Sequence, residues 1–236
     1  MGATDADVGP DGTGIQDLKE NVTSNDHIAV QRDGAWLSIL INRPKKANSL
    51  TPAMLISLRD LFRNAASDPT LCIVVITGAG DRVFCAGADL NTLYDEQNDP
   101  DLWAEMVDAL RNIPVPTIAA INGPCMGGGV SLALGCDIRL AVPEARFSYP
   151  VLKNNVLPGQ YDVDGLHALI GPGRAAVMLL GGSVVLSEEA LTWGLVDRLV
   201  PSDGLEEACL SLYETAALSD GRRLRALKSM INMNPS

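Results

Sequence analysis

The chain of 236 residues carries 18 Lys+Arg against 29 Asp+Glu, a formal charge of −11, with 47% hydrophobic and only 4% aromatic residues. So acidic a chain lacks the basic surface that phosphate neutralisation requires, which argues against nucleic acid as a partner. No apolar run reaches the roughly 18 residues of a membrane span, and the N-terminus shows no basic segment followed by an apolar one, so a cytoplasmic protein is expected.

Residues 1–25 are rich in Gly, Asp and Thr and bury too little apolar surface to offset ordering, so they read as a flexible tail. Residues 26–200 form the expected core, and 201–236 a short helical C-terminal section. Order begins with IAVQR and AWLSILI around Asp33-Gly34, a hairpin signal. Thr51-Pro52 then opens a helix as N-cap and first helical residue, with Met54, Leu55, Leu58, Leu61 and Phe62 on one face. LCIVVITG (71–78), VPTIAAING (115–123) and CDIRLAV (136–142) are near-continuous apolar runs of the kind that form strands covered on both faces. Helical stretches around Leu102–Arg111 and Gly129–Leu134 lie between them, so the pattern predicts βαβ units with a parallel sheet. Beyond residue 160 the periodicity is helical: GLHALIG, GRAAVMLLGG, SEEALTWG, then a short strand in LVDRLV, a helix from Asp203 and a last helix around Arg222–Ile231.

Five scattered cysteines with no Cys-x-x-Cys pair, and two histidines without zinc spacing, point to reduced, buried thiols and no metal centre. Two glycine-rich turns carry the chemistry. GAGDRVFCAGADL (78–90) follows a strand but matches neither the dinucleotide fingerprint nor the phosphate loop. Its small residues Ala86, Gly87 and Ala88 leave backbone N–H groups open to a ligand. INGPCMGGGVSLALGCD (121–137) aims a helix N-terminus at whatever precedes it, a place that favours developing negative charge.

INRPKKANSL (41–50), VVITGAGDRVFCAGADL (74–90), INGPCMGGGVSLALGCDIRLA (121–141) and ARFSYP…LPG (145–159) resemble the crotonase superfamily, the enoyl-CoA hydratases and isomerases. The resemblance implies an α/β protein with the crotonase-type ββα spiral and a helical C-terminal section. It implies a coenzyme A thioester as substrate, no separate cofactor, and a homotrimer or hexamer built through C-terminal helices. It carries the two backbone donors for the thioester oxygen onto Ala88 and Gly128, beside Gly127. It carries the segment that meets pantetheine and adenine onto Ala86, Ala88, Asp89 and Leu90. Arg43, Lys45 and Lys46 supply the basic patch that a polyanionic cofactor needs near a protein of this charge.

The two glutamates of the superfamily's hydratases fall, in an ungapped match, on Ser131 and Val151. Neither can serve as a carboxylate, so the oxyanion cradle carries over but neither two-glutamate hydration nor one-glutamate isomerisation does. The substitutes lie in LPGQYDVDGLH (157–167), where Asp162 is the candidate acid/base and Tyr161 a candidate donor to a carbonyl or carboxylate. Two environments are open to Asp162: a poorly solvated pocket wall, which would raise its pKa, or a helix cap, which would lower it. Tyr149 and Ser131 rank behind them as polar candidates, His167 reads as a helix-face residue and Cys85 as a core thiol. A non-catalytic acyl-CoA-binding paralogue, or a divergent decarboxylase or hydrolase of the same fold, is the alternative.

Overall fold

The Asp33-Gly34 pair makes the hairpin its sequence predicts. Strands β1 (Ile28–Asp33) and β2 (Trp36–Ile41) pair antiparallel from Asp33↔Trp36 to Ile28↔Ile41, and Gly34 takes the left-handed φ of +54° that a two-residue hairpin turn demands. The computed structural model describes residues 27–92 and 101–232, so the tail expected over 1–25 lies outside the described residues. Helix α1 (Pro52–Ser67) starts as expected, with Met54 N donating to Thr51 Oγ1 at 3.3 Å and Pro52 in its first turn. Its buried stripe is Met54, Leu55, Leu58, Phe62 and Ala65.

The apolar runs become β3 (Ile73–Gly78), then, after α2 (Leu102–Arg111), β4 (Thr117–Ile121), and both strands are buried at every residue. A short β5 (Cys125–Met126) leads into α3 (Gly128–Gly135), followed by β6 (Ile138–Ala141) and β7 (Arg146–Ser148). Then come α4 (Gln160–Leu179), β8 (Val185–Leu186), α5 (Ser187–Trp193), β9 (Arg198–Leu199), α6 (Leu205–Ala217) and α7 (Gly221–Asn232). The main sheet has the order β1-β2-β3-β4-β6-β9, and every pair after the hairpin is parallel. Strand order follows chain order, so each connection advances to the next position and the sheet never doubles back. A second sheet, β5-β7-β8, is built from the turns between the crossovers. One core cluster runs from Ile28 to Cys209 and joins both layers.

The sequence expects helical periodicity beyond residue 160, with GLHALIG and GRAAVMLLGG as separate segments. The structure instead starts α4 at Gln160 and carries it through a break at Gly171, where φ is +79°, with Pro172 next. The start has a local cause: Asp162, in the first turn, accepts from Gly159 N at 3.2 Å and satisfies a donor that the turn would strand. At the other end α7 is fastened by cations. Lys228 Nζ donates to Val115 O at 2.7 Å and to Asp137 Oδ2 at 2.6 Å, while Arg225 Nη2 donates to the carbonyls of Asp68 and Leu71. No helix among the described residues is long and apolar enough to cross a membrane.

Candidate active site

The two glycine-rich turns meet edge to edge. Phe84 N donates to Pro124 O (3.0 Å), Met126 N to Cys85 O (2.9 Å), and Cys85 bridges Cys125 in parallel. On its other side the first turn is held by Leu50, whose N donates to Gly87 O and whose O accepts from Asp89 N, both at 2.8 Å. These two bonds straddle Ala88, so its own N–H takes no part in the bridge. The expectation of three open amides narrows accordingly, because Ala86 N donates to Ala47 O (3.0 Å) and Gly87 N reaches Cys85 Sγ (3.4 Å). In the second turn Gly127 caps α3 with φ +52° and donates to Ser148 O. Gly128 is the first residue of α3, where an N–H has no partner within the helix.

Gly87 is what lets the turns close. At φ +89° it lies where side chains are disfavoured, and a Cβ there would stand 2.6 Å from Gly128 N and 3.0 Å from Met126 O. Two asparagines brace the preceding loop. Asn48 donates to Ala79 O and Val83 O (2.7 Å), and Asn122 donates to Gly78 O and Gly80 O (2.6 Å). Both are nearly fully buried, so each is a framework residue that composition alone does not reveal.

A cavity of about 680 Å³ opens at this junction. Of the residues expected in the site it is lined by Ala86, Ala88, Leu90, Gly127 and Gly128 from the turns, by Ser131 from α3, and by Val151, Tyr161 and Asp162. Trp103 of α2, with no distinguishing sequence signal, also lines it; its indole covers Gly128 so closely that a Cβ there would fall 2.6 Å from Trp103 Cζ3.

The expected basic patch is arranged differently. Arg43 Nη1 donates to Asp89 Oδ2 at 2.6 Å and to Ser49, holding the Asp89 carboxyl below the usual range, so these two side chains lock one loop to the other instead of facing a ligand. Lys45 and Lys46 stand exposed on the turn Pro44–Lys46, away from the cavity lining.

The polar centre of the cavity is a line of three side chains. Ser131 Oγ lies 2.9 Å from Tyr149 Oη, and Tyr149 Oη donates to Asp162 Oδ2 at 2.6 Å. Asp162 has no exposed surface, and its Oδ1 is buried without a hydrogen-bond partner. Both environments weighed for Asp162 therefore occur together: it satisfies Gly159 N, and it is desolvated. Burial wins, since its pKa rises to about 6 although Tyr149, Ser131, the Gly159 amide and the Arg111 charge pull the other way. Burial and the neighbouring carboxylate push the Tyr149 and Tyr161 hydroxyls well above the ordinary phenol range, so both stay protonated. Tyr149, ranked second from sequence, is thus the hub of the cluster. Its sequence surroundings, with Arg146 and Ser148 also polar, gave no sign of that role. Cys85 is a core thiol, pushed up to about 12 by burial, and His167 is exposed on α4.

The enoyl-CoA hydratase/isomerase family model matches residues 31–236. The 2,3-dehydroadipyl-CoA hydratase of Escherichia coli is 34% identical over 214 residues, covering 88% of this chain and 82% of that protein. Among solved structures, Pseudomonas aeruginosa DspI is 34% identical with a TM-score of 0.83, covering 90% of this chain and 89% of its own. An enoyl-CoA hydratase/carnithine racemase from Magnetospirillum magneticum is 30% identical with a TM-score of 0.82, covering 88% and 80%. With the strand order, the paired glycine turns and these matches together, the chain belongs to the enoyl-CoA hydratase/isomerase family, acyl-CoA enzymes of the crotonase fold.

Proposed function

We propose that this protein binds an acyl-CoA thioester with its carbonyl oxygen between the N–H groups of Ala88 and Gly128, and moves a proton on the acyl chain with Asp162 as the carboxylate. The reaction class is proton transfer next to the thioester, as in isomerisation or hydration of an enoyl-CoA. Two preorganised donors stabilise the developing enolate, on the order of 10²–10³ in rate for each. Lys45 and Lys46, exposed on one turn, serve the phosphates of coenzyme A, and Ala86 and Leu90 flank its pantetheine arm. Val151 forms apolar wall, and Tyr161 presents a protonated hydroxyl beside Asp162. The resemblance also supports assembly into trimers, and the exposed Leu227, Met230 and Ile231 of α7 give such an assembly an apolar face.

The observation that carries this reading is Asp162, a carboxylate titrating at about 6 in the wall of the cavity on which Ala88 and Gly128 border. A group poised near neutral pH both accepts and returns a proton, which contributes on the order of 10²–10⁴ in rate. The test has two arms. Calorimetry with a straight-chain acyl-CoA and its free acid is expected to show binding of the ester alone, and equal affinity for both overturns the cradle. Mass spectrometry in deuterated water is expected to show label entering Cα of the acyl-CoA and interconversion of 2-enoyl and 3-enoyl esters, with Asp162→Asn at least about 10²-fold slower. A second reading, an acyl-CoA-binding protein without turnover, is favoured by one fact, the complete enclosure of Asp162. Ester binding with neither exchange nor interconversion establishes it.

A further inference from the structure

We infer that Asp162 exchanges protons with the cavity through a two-hydroxyl relay, Tyr149 and then Ser131, and that Ser131 Oγ is the group that meets the acyl chain. The inference rests on the functional reading above and deepens it: Asp162 has no exposed surface and Ser131 only 1%, but Ser131 projects from the helix that Gly128 opens and lines the cavity beside it. The hydrogen-bond directions are fixed by counting. Tyr149 has one hydroxyl hydrogen and spends it on Asp162 Oδ2 at 2.6 Å. The 2.9 Å contact with Ser131 must then be a donation from Ser131 to Tyr149 Oη, which leaves lone pairs of Ser131 Oγ as acceptor. Ser131 also stands in the right place. It lies three residues after Gly128 on α3, so the amide that would hold the oxyanion and the hydroxyl that ends the relay share one helix face. Both residues line the cavity.

The step balances without any further reactant. The Cα–H bond of the bound thioester breaks and its electron pair stays on the substrate as enolate, held by Ala88 and Gly128. The proton goes to Ser131 Oγ, the Ser131 proton passes to Tyr149 Oη, and the Tyr149 proton passes to Asp162 Oδ2. Both hydroxyls are restored, and the negative charge has moved from the carboxylate to the enolate oxygen. Running the chain in reverse returns the proton to Cα or to another carbon of the enolate. Tyr149 and Gly159 both donate to Oδ2 while Oδ1 has no partner, so the charged form of Asp162 is held short of full satisfaction. The groups bearing on Asp162 are Tyr149, Ser131 of α3, the Gly159 amide, Tyr161 on its own helix and Arg111 at the end of α2, while Ser131 and Asp108 of α2 bear on Tyr161.

Ser131→Ala and Tyr149→Phe, prepared in the full chain, test the relay with hexanoyl-CoA and butanoyl-CoA in deuterated water. Both variants are expected to bind the esters within about threefold of wild type and to lose at least about 100-fold in Cα exchange. Wild-type exchange is expected to rise with a midpoint near pH 6, and residual exchange in Tyr149→Phe to lose that midpoint. A second readout needs no turnover: the infrared carbonyl band of protonated Asp162, isolated by difference against Asp162→Asn. Its titration midpoint is expected to move up in Tyr149→Phe, which loses the hydrogen bond to the charged form. If Asp162→Asn abolishes exchange while Ser131→Ala and Tyr149→Phe keep it, the relay is overturned and the role of Asp162 stands. If wild type exchanges neither ester, the relay and the functional reading fall together. An unmoved infrared midpoint in Tyr149→Phe removes the hydrogen-bonded chain itself.

Discussion

Replacing Asp162 by Asn should make the protein's stability less dependent on pH, by an amount the structure sets. The Asp162 carboxyl titrates at about 6 in the folded chain, against an ordinary value of 3.8. Between those values the native state holds a proton that the unfolded chain has released, so stability falls as pH rises through this window. The gap is about two units, or about 3 kcal/mol in all. The stabilising effect of the neutral acid is fully present below pH 3.8 and is gone above about 6. Asn cannot ionise and escapes this loss. Its oxygen can keep the bonds from Tyr149 and Gly159, and its amide takes the place of an Oδ1 that has no partner to lose. A constant offset of about 1 kcal/mol in either direction is therefore expected. The decisive quantity is the difference between variant and wild type in urea unfolding, followed from pH 4 to 7.5. It should climb by about 3 kcal/mol in favour of Asn and level off above pH 7. Two stability curves that run parallel over this range refute the buried, uncharged-preferring carboxylate, and with it the argument for Asp162 as a proton-transfer group.

Gly87→Ala places a Cβ 2.6 Å from Gly128 N at a φ of +89°; the strained backbone alone costs about 1–3 kcal/mol, so a lowered urea midpoint and lost acyl-CoA binding by calorimetry are expected, and unchanged values of both mean that the two turns do not need this close approach. Lys228→Met removes the cation that α7 sets on Val115 O and Asp137 while keeping its apolar stem. A loss of about 1–3 kcal/mol is expected, with faster amide hydrogen exchange along α7, and unaltered protection there contradicts the anchor.

The sequence by itself determined the elements whose signals are local. Asp33-Gly34 fixed the hairpin because only a left-handed residue closes a two-residue turn. Thr51-Pro52 fixed the start of α1. The apolar runs 71–78 and 115–123 read as strands covered on both faces, and the fold places β3 and β4 within them, buried at every residue. The motifs around the two glycine turns singled out Ala88 and Gly128, and the fold brings both to one cavity, because turn conformation specifies which backbone groups are presented. Side-chain partnerships were not legible, since each joins residues distant in sequence. Arg43 looked like a phosphate ligand until the fold placed Asp89 beside it. Lys228 looked like one more surface cation on a basic helix, yet it is buried on Asp137, 91 positions away by number (228 − 137 = 91). For Asp162 the sequence left two environments open with opposite signs of pKa shift. Tertiary structure decided between them, because desolvation depends on everything packed around a group, and here the fold closes Ser131 and Tyr149 over it. Local spacing determines where the chain turns and which backbone groups it exposes, whereas the charge a buried side chain carries is settled only when distant segments meet around it.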